Sequence, residues 1–265
     1  MPLTNRLVFN PTVWKFSAKY WYPLLTRTVR GDDVLFFNPG YEEDPPLGIP
    51  LSEADERYRY FIQLYHRVAA QVDLAGKDVL EVSCGHGGGA SYITRTMKPA
   101  SYTAVDLNKS GIDFCRKYHN VPGLRFQEGN ADNLPFGDAS FDAIINVEAS
   151  HCYPSVEHFL SEVARMLRPG GHFLYIDARW DDRIPEWDAV LAGAPLRMVS
   201  QEDISLQSLR GMKNNTGVNQ DLITRHVPSF LRGVARNGAG TQGSALYRAL
   251  EDGRFVRRLY CFAKD

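Results

Sequence analysis

Three acidic residues lie at or just after short apolar runs in the middle of the chain. Glu81 lies within the run 78–82, Asp106 ends the next run, and Asp132 follows a third. If these runs form parallel strands, their carboxyl ends meet along one edge of the sheet and bring the three acids together. Carboxylates placed there can accept hydrogen bonds from an ammonium group and from ribose hydroxyls.

A glycine-rich turn follows the first apolar run. Residues 85–90 match the pattern G-x-G-x-x-A, which is also typical of nicotinamide-binding enzymes. Leu134-Pro135-Phe136, after Asp132, offers an apolar surface for an adenine ring. A ligand with an amine, a ribose and an adenine but no pyrophosphate fits these groups, so we predict S-adenosylmethionine, with an NAD-dependent dehydrogenase as the alternative. The predicted cofactor-binding residues are Glu81, Ser83, Gly85, Gly87, Asp106, Leu107, Asp132, Asn133 and Asn146.

A histidine and an aspartate follow two later apolar runs. His151 comes shortly after the run 141–147, and Asp177 ends the run 172–177. We expect them to be neighbours at the same sheet edge, where a carboxylate fixes the tautomer of an imidazole. Because an alcohol is a poor nucleophile at neutral pH, methyl transfer to a hydroxyl group needs a general base. We predict that His151 is this base, with a pKa near the ordinary value of about 6.5, and that Asp177 orients it.

Other polar and aromatic residues leave alternatives open. Asp181 and Asp182 could join Asp177 in a Mg²⁺ site, but we favour a solvated acidic turn and predict no metal ligands. The aromatic N-terminal segment predicts a lid over the acceptor, with membrane-surface contact or plain packing as alternatives. His86 is interpreted as a residue of the glycine-rich turn. The predicted acceptor-binding residues are Tyr20, Trp21, Glu148 and Tyr153.

The elements that must position these residues alternate in type along residues 74–179. Apolar runs of strand length are separated by segments with helical spacing, such as 108–119 and 156–167, an alternation typical of a parallel sheet covered on both faces. We predict an α/β fold with a Rossmann-like, doubly wound, mostly parallel sheet. The strands are predicted at 78–82, 101–106, 124–128, 141–147 and 172–177. The predicted units are a helical lid at 1–73, the cofactor-binding core at 74–179, a helical insertion capping the acceptor at 180–253, and an edge strand of the core at 254–265.

The composition is that of a globular protein and argues against several functional classes. The chain has 265 residues, 44% of them hydrophobic, and a formal net charge of −1. A nucleic-acid-binding protein carries a surplus of lysine and arginine that is missing here. No apolar run approaches the roughly 18 residues that span a bilayer, and four widely spaced cysteines indicate buried thiols. We expect a cytoplasmic enzyme that acts on a small molecule; its oligomeric state stays open.

Residues 74–179 resemble the class I S-adenosylmethionine-dependent methyltransferases. This resemblance implies a Rossmann-like fold and S-adenosylmethionine as cofactor, which are also what the three acids and the glycine-rich turn predict. The sequence departs from the family pattern at Ser83, where these methyltransferases usually have glycine. The motifs that carry it are Val79-Leu80-Glu81-Val82, Gly85-His86-Gly87, Val105-Asp106, Asp132-Asn133-Leu134-Pro135-Phe136, Ser140-Phe141-Asp142 and Leu167-Arg168-Pro169-Gly170-Gly171.

Almost the whole chain resembles a narrower group, the phthiotriolone/phenolphthiotriolone dimycocerosates methyltransferases. That group is similar to O-methyltransferases of envelope sugars and fatty acids, so the resemblance implies methylation of a hydroxyl on a cell-envelope lipid, glycolipid or saccharide. A sugar-specific, Mg²⁺-dependent enzyme and a catalytically silent S-adenosylmethionine-binding protein are the alternatives. The resemblance rests on Tyr20-Trp21-Tyr22-Pro23-Leu24, Tyr41-Glu42-Glu43-Asp44-Pro45-Pro46, the turn 81–89 and Glu148-Ala149-Ser150-His151-Cys152-Tyr153.

Overall fold

A mixed sheet of seven strands forms the centre of the described part of the chain. The computed structural model describes residues 34–265, so the predictions for residues 1–33, including Tyr20 and Trp21, lie outside the described residues. The strands are β1 Asp78–Val82, β2 Ser101–Asp106, β3 Leu124–Glu128, β4 Phe141–Val147, β5 Leu167–Trp180, β6 Arg197–Asp203 and β7 Phe255–Ala263. Their order across the sheet is β3-β2-β1-β4-β5-β7-β6, with β1 to β5 parallel.

Helices cover both faces of this sheet. They are α1 Glu53–Glu56, α2 Arg59–Ala69, α3 Gly88–Met97, α4 Lys109–Tyr118, α5 Val156–Met166, α6 Ile184–Ala192, α7 Ser205–His226, α8 Arg232–Gly238 and α9 Ala245–Glu251. Short 3-10 turns lie at Ser150–Cys152, Asp181–Arg183 and Ser229–Leu231. Within residues 34–265, no helix combines the length and the hydropathy that crossing a bilayer requires.

The alternation of side chains along β1 divides the interior into two hydrophobic cores. Val79 packs in one core, which includes Phe61 of α2 and Ile93 of α3. Leu80 packs in the other, which includes Phe159 of α5. Successive side chains of a strand point to opposite faces, so a strand buried on both faces is apolar at nearly every position. Glu81 interrupts this apolar run as a fully buried acid.

The structure confirms the predicted Rossmann-like fold. β1 to β4 have the predicted bounds, and α4 and α5 occupy the two predicted helical segments. β5 is longer than predicted at both ends, from Leu167 to Trp180. Its far end continues because β7 pairs with it as far as Trp180. The extension carries the strand beyond Asp177, which therefore lies inside β5 and not at its end.

Two predictions for the C-terminal part were wrong. The final run is not an edge strand, because β7 lies between β5 and β6 and is antiparallel to both. The edge position belongs to β6, a strand within the predicted helical insertion. Every residue of β6 except Glu202 is exposed, so its sequence lacks the alternation of apolar and polar residues that predicts a strand. The backbone hydrogen bonds to β7 therefore hold this segment as a strand, although its own sequence does not predict one.

The long helix α7 approaches the backbone of an N-terminal segment through a glycine. A Cβ atom on Gly211 would lie 2.2 Å from the backbone nitrogen of Tyr41. One turn later, Nδ2 of Asn215 donates a hydrogen bond to the carbonyl oxygen of Pro39 at 3.1 Å. Because the facing atoms belong to the backbone, they cannot move aside without shifting the whole segment.

Alanine at Gly211 should therefore destabilise the protein by about 1–3 kcal/mol, the usual cost of overpacking. Gly217 of the same helix is the matched control, since a Cβ there meets nothing within 4 Å. Alanine at Gly217 should stabilise the protein by about 0.5–1 kcal/mol through helix propensity. Urea denaturation of both variants measures the difference, and equal stabilities would contradict the packing described here.

Candidate active site

The turn between β1 and α3 passes through residues with left-handed backbone angles. The φ angle is +65° at Ser83, +57° at Gly85 and +75° at Gly87. Glycine adopts such angles without strain. Gly87 also lacks room for a side chain, since a Cβ there would lie 2.7 Å from the ring of Phe126. The left-handed φ at Ser83 explains why glycine is usual at this position in the methyltransferases that the sequence resembles.

Asp106 holds this turn to the end of β2. Its Oδ2 accepts a hydrogen bond from the backbone N–H of Gly85, and its Oδ1 accepts one from that of Asn108, both at 2.8 Å. Burial raises the pKa of Asp106, although the two N–H groups act against the rise. Each oxygen keeps a second lone pair for a ligand hydroxyl. The next residue, Leu107, is an apolar side chain that is 58% exposed.

Glu81 lies behind the turn and has no exposed surface. Its Oε2 accepts a hydrogen bond from the hydroxyl of Tyr102 at 2.8 Å, whereas its buried Oε1 has no partner among the described residues. Burial raises the pKa of Glu81 to about 7, although the hydroxyl groups of Tyr102 and Tyr65 act against the rise. A cation close to Oε1 would restore the ionised form. Direct contact between Glu81 and a ligand ammonium group stays a prediction.

Asp132 and Asn133 lie in the turn after β3. Oδ1 of Asp132 is buried and has no hydrogen-bond partner among the described residues, while the backbone oxygen of Asp132 accepts a hydrogen bond from Nε2 of His158 at 2.8 Å. Asn133 is exposed, as is Pro135. Leu134, predicted as part of an adenine surface, is instead buried in the core beside α5.

A hydrogen-bond network of four residues joins the ends of β1 and β4. Nδ2 of Asn146 donates to the carbonyl oxygen of Val82 at 2.9 Å and to the hydroxyl of Tyr153 at 2.8 Å. The same hydroxyl lies 2.6 Å from Oγ of Ser83. Oδ1 of Asn146 is buried and unpaired within residues 34–265. Because its hydroxyl is engaged in this network, Tyr153 holds the two strand ends together, and its predicted contact with an acceptor stays a prediction.

His151 and Asp177 are in direct contact. His151 lies in the 3-10 turn after β4, and its Nδ1 is 2.6 Å from Oδ1 of Asp177. The backbone N–H of His151 donates to the other carboxylate oxygen at 2.8 Å. The Asp177 side chain is fully buried, and that of His151 is 19% exposed. Since Asp177 holds Nδ1, proton exchange with a substrate falls to Nε2.

Asp177 has further partners that the sequence analysis missed. Nη1 of Arg179 lies 3.1 Å from Oδ2 of Asp177, and the hydroxyl of Ser150 donates to the same oxygen. The Arg179 guanidinium also lies over the ring of Trp187, 4.7 Å from its centroid. Arg179 follows Asp177 by two positions in one strand, so both side chains point to the same face. That spacing is the sequence signal that identifies Arg179.

Charge and burial have opposite effects on the pKa values of Asp177 and His151. Burial alone would raise the pKa of Asp177, but His151 and Arg179 hold it well below its usual range. Burial alone would lower the pKa of His151, but Asp177 outweighs it and raises the pKa to about 10. The pKa of His151 therefore lies above the predicted value near 6.5 in the substrate-free protein, and the direction of this shift favours the imidazolium form at neutral pH.

Glu148, predicted to bind the acceptor, forms an ion pair with Arg257 of β7. The Arg257 side chain is 2% exposed, and the backbone of Glu148 has a φ of +56°. Burial raises the pKa of Glu148, with Arg257 acting against the rise. Arg257 was missed because it is far from Glu148 in sequence and reaches it only through the pairing of β7 with β5.

His86 is a buried residue of the turn, as interpreted from the sequence. Its Nδ1 lies 2.6 Å from the carbonyl oxygen of Val34, and its own carbonyl oxygen accepts a hydrogen bond from Nε2 of His119 at 2.8 Å. Burial lowers the pKa of His86. These contacts hold the turn in addition to the hydrogen bonds of Asp106.

The structure does not bring Asp177, Asp181 and Asp182 together as a metal-ligand set. Asp181 and Asp182 are exposed, whereas Asp177 is enclosed by His151 and Arg179. Within residues 34–265, no group of three or more histidine, cysteine, aspartate or glutamate side chains could hold a metal ion.

Nuclear magnetic resonance titration should show His151 keeping its second proton up to a pH of about 10. The Asp177→Asn variant should lower this midpoint by roughly 1–3 units, because it removes the carboxylate that stabilises the imidazolium. A His151→Gln variant assigns the signal. His66, whose pKa is lowered by burial, is the control and should titrate alike in wild type and Asp177→Asn. A wild-type midpoint near 6.5 would contradict this account.

Comparison with known proteins agrees with this geometry. A family model described as "Methyltransferase domain" matches residues 80–175. Phthiotriol/phenolphthiotriol dimycocerosates methyltransferase of Mycobacterium tuberculosis is 56% identical over 97% of this chain and 95% of that protein. Fatty-acid O-methyltransferase of Mycolicibacterium smegmatis is 52% identical over 96% of this chain and 92% of that protein.

A solved structure shares the fold across nearly the whole chain. Geranyl diphosphate C-methyltransferase from Streptomyces coelicolor superimposes with a TM-score of 0.67 over 95% of this chain and 98% of that one, at 18% identity. At that identity the likeness shows the fold alone. The sequence relatives go further: the chain belongs to the methyltransferase family that includes the phthiotriol/phenolphthiotriol dimycocerosates methyltransferases.

Proposed function

We propose that this protein transfers a methyl group from S-adenosylmethionine to a hydroxyl oxygen of a lipid. The observation that carries the proposal is the contact of His151 with a buried carboxylate, in the turn that follows β4. Asp106 and the glycine-rich turn follow the neighbouring strands of the same sheet. In a doubly wound sheet, ligands bind outside the carboxyl ends of the strands.

Three buried acceptors support the choice of cofactor. Glu81 Oε1, Asp132 Oδ1 and Asn146 Oδ1 have no hydrogen-bond partner among the described residues. Buried polar groups are almost always paired, so unpaired acceptors indicate a ligand that donates hydrogen bonds. S-adenosylmethionine carries such donors in its ammonium group, ribose hydroxyls and adenine amine. The residues present therefore fit this cofactor, whose sulfonium supplies an electrophilic methyl group when bound.

The residues of the turn and of β2 would hold the cofactor. Asp106 would accept hydrogen bonds from the ribose hydroxyls through the lone pairs that the N–H groups of Gly85 and Asn108 leave open. Leu107 would cover an apolar part of the cofactor, and Glu81 would supply a negative charge behind the turn. When two reactants are held close together and correctly oriented, the activation free energy falls by roughly 7–11 kcal/mol.

His151 would remove the proton of the acceptor hydroxyl at Nε2, with Nδ1–H donated to Asp177 throughout. Asp177 stabilises the imidazolium that forms, while Arg179 keeps the carboxylate ionised. Because the pKa of free His151 is raised to about 10, the neutral form is scarce at pH 7. A bound cation near the ring lowers this pKa, and the rate should rise with pH above neutrality.

The relatives' names favour a lipid acceptor over a saccharide. One relative is named for phthiotriol dimycocerosates and another for a fatty acid. A lipid alcohol of the envelope is therefore the proposed acceptor, in place of the sugar-specific, Mg²⁺-dependent alternative.

The raised pKa of His151 favours a second candidate acceptor, a fatty-acid carboxylate. An imidazolium attracts a carboxylate, and a carboxylate needs no base before methylation. The two candidates differ in their dependence on pH. Transfer to an alcohol speeds up as His151 loses its proton, whereas transfer to a carboxylate slows down.

Isothermal titration should show S-adenosylmethionine binding in the micromolar range and little affinity for NAD. Asp106→Ala should weaken the binding by roughly 10²–10⁴-fold, because it removes two charge-assisted hydrogen bonds worth about 1.5–3 kcal/mol each. Asp113→Ala is the control, since Asp113 is an exposed acid of α4 that forms surface ion pairs with Lys109 and Arg116. Tighter binding of NAD than of S-adenosylmethionine would overturn the cofactor assignment.

Single-turnover methyl transfer tests the base. His151→Ala should slow transfer to an alcohol by roughly 10²–10⁴-fold, with cofactor affinity unchanged within a few-fold. The wild-type rate should rise between pH 7 and 9, and this rise should be lost in the variant. A rate within threefold of wild type would show that the base lies elsewhere. A wild-type rate that falls with pH, with a higher KM for the variant, would favour the carboxylate acceptor.

A further inference from the structure

The residue that directly follows β4 has a left-handed backbone. Glu148 has a φ angle of +56°, a region that glycine adopts without strain and that residues with a Cβ atom rarely enter. Strained backbone of this kind persists only where the surrounding contacts impose it. Because Glu148 begins the segment between β4 and His151, the contacts that impose its conformation also bear on the place of His151.

Two contacts hold Glu148 in place. Its backbone N–H donates a hydrogen bond to the carbonyl oxygen of Ile176 in β5 at 3.0 Å. Its carboxylate accepts a hydrogen bond from the guanidinium of Arg257 in β7, within an ion pair whose side chains are 14% and 2% exposed. When one partner of a buried ion pair is removed, the other charge stays uncompensated. The pair therefore restrains the Glu148 carboxylate, and the backbone attached to it, to one position.

Arg257 is itself fixed by backbone contacts on two sides. Its N–H donates to Oγ of Ser205, the first residue of α7, at 3.0 Å. Its carbonyl oxygen accepts a hydrogen bond from the N–H of Ile204 at 2.9 Å, and in the sheet it lies opposite Ala178 of β5. The guanidinium therefore reaches Glu148 from a support that β5, β7 and the start of α7 form together.

Glu148 and His151 contact consecutive residues of β5. Glu148 bonds to Ile176, and the backbone N–H and the ring of His151 meet the carboxylate of Asp177. Only two residues separate Glu148 from His151 in the chain. A displacement of Glu148 would therefore be passed on to the His151 ring and would move it relative to Asp177.

We propose that Arg257 is a positioning residue for the His151 ring. It holds the Glu148 carboxylate and with it the left-handed backbone of Glu148, and this backbone places the ring against Asp177. The inference rests on the proposed function, since His151 is taken as the base, but the place of the ring is measured without methyl transfer.

Charge alone predicts the opposite of what positioning predicts. Removal of a cation such as Arg257 raises the pKa of a neighbouring imidazolium. Loss of the contact between the ring and Asp177 lowers that pKa, because burial lowers the pKa of His151 and the Asp177 carboxylate raises it. The direction in which the pKa of His151 changes therefore separates the two roles.

Nuclear magnetic resonance titration of His151 in Arg257→Met tests the proposal. The midpoint should fall by about 1 unit or more, because the ring no longer keeps its contact with the carboxylate. Arg257→Lys keeps a cation at the same position and should retain most of the wild-type midpoint. The double variant Glu148→Gln/Arg257→Met leaves no uncompensated charge, so it is measured as well and replaces Arg257→Met if that variant fails to fold. Its midpoint should also fall.

Steady-state kinetics should show the same effect on the reaction. In Arg257→Met and in the double variant, kcat should fall by roughly 10–100-fold, because a misplacement of about 1 Å can cost up to that factor. KM and the affinity for S-adenosylmethionine should stay within a few-fold of wild type.

Arg168→Met is the matched control. Arg168 lies in β5 and forms ion pairs with Asp78 and Asp142, at the amino ends of β1 and β4. Its loss removes an arginine that also joins neighbouring strands, but at the edge of the sheet opposite to His151. The His151 midpoint and kcat should therefore be those of wild type.

Two results would overturn the proposal. The first is a folded double variant whose His151 midpoint equals or exceeds that of wild type, whatever its kcat. The second is an equal fall of the midpoint in Arg168→Met, since the loss of any arginine that joins the strands would then loosen the ring. A midpoint that falls as expected, in a protein whose wild type transfers no methyl group, would support the placement of the ring and count against the proposed reaction alone.

Discussion

The Asp177 carboxylate is a negative charge with no access to water, and the architecture around the site follows from it. An unpaired ion in that position costs several kcal/mol in desolvation, so it persists only when cations and donors surround it. His151 provides one cation and Arg179 the other. The Ser150 hydroxyl and the backbone N–H of His151 add hydrogen bonds. The turn after β4 thus adopts a conformation that lets its residues hydrogen-bond and neutralise Asp177 of β5.

A second constraint comes from the gap between the ends of β1 and β4. Strand order reverses there, so the crossover segments diverge and leave a crevice. Asn146, Tyr153 and Ser83 bridge the two strand ends by hydrogen bonds. The bridge leaves Oδ1 of Asn146 unpaired within residues 34–265. The Asn146 amide thus uses its donor group to join the strand ends and keeps its acceptor unpaired among the described residues.

The parts of this molecule that could be predicted from sequence are those fixed by local pattern. β1 to β4 are short runs with apolar residues on both faces of the sheet. The glycine-rich turn directly follows β1, and the acids Glu81 and Asp106 lie near the ends of β1 and β2, so their places could be read from the sequence. The contact of His151 with Asp177 followed from the parallel order of the strands. Arg257 and β6 could not be predicted, because both depend on pairing with β7, which no local pattern specifies. The raised pKa of His151 could not be predicted from the sequence either, because it depends on how completely Asp177 is buried.

The insertion of β7 between β5 and β6 has a consequence for the order of assembly. During synthesis, β5 and β6 emerge from the ribosome before β7, yet β7 is the strand with which β6 pairs within residues 34–265. The outer edge of β5 therefore stays unpaired, and Glu148 lacks its buried Arg257, until residues 255–263 are available. A chain stopped short of β7 already has its glycine-rich turn, but it exposes an open sheet edge. Quality control that recognises such an edge would act on the chain before the ion pair between Glu148 and Arg257 can form.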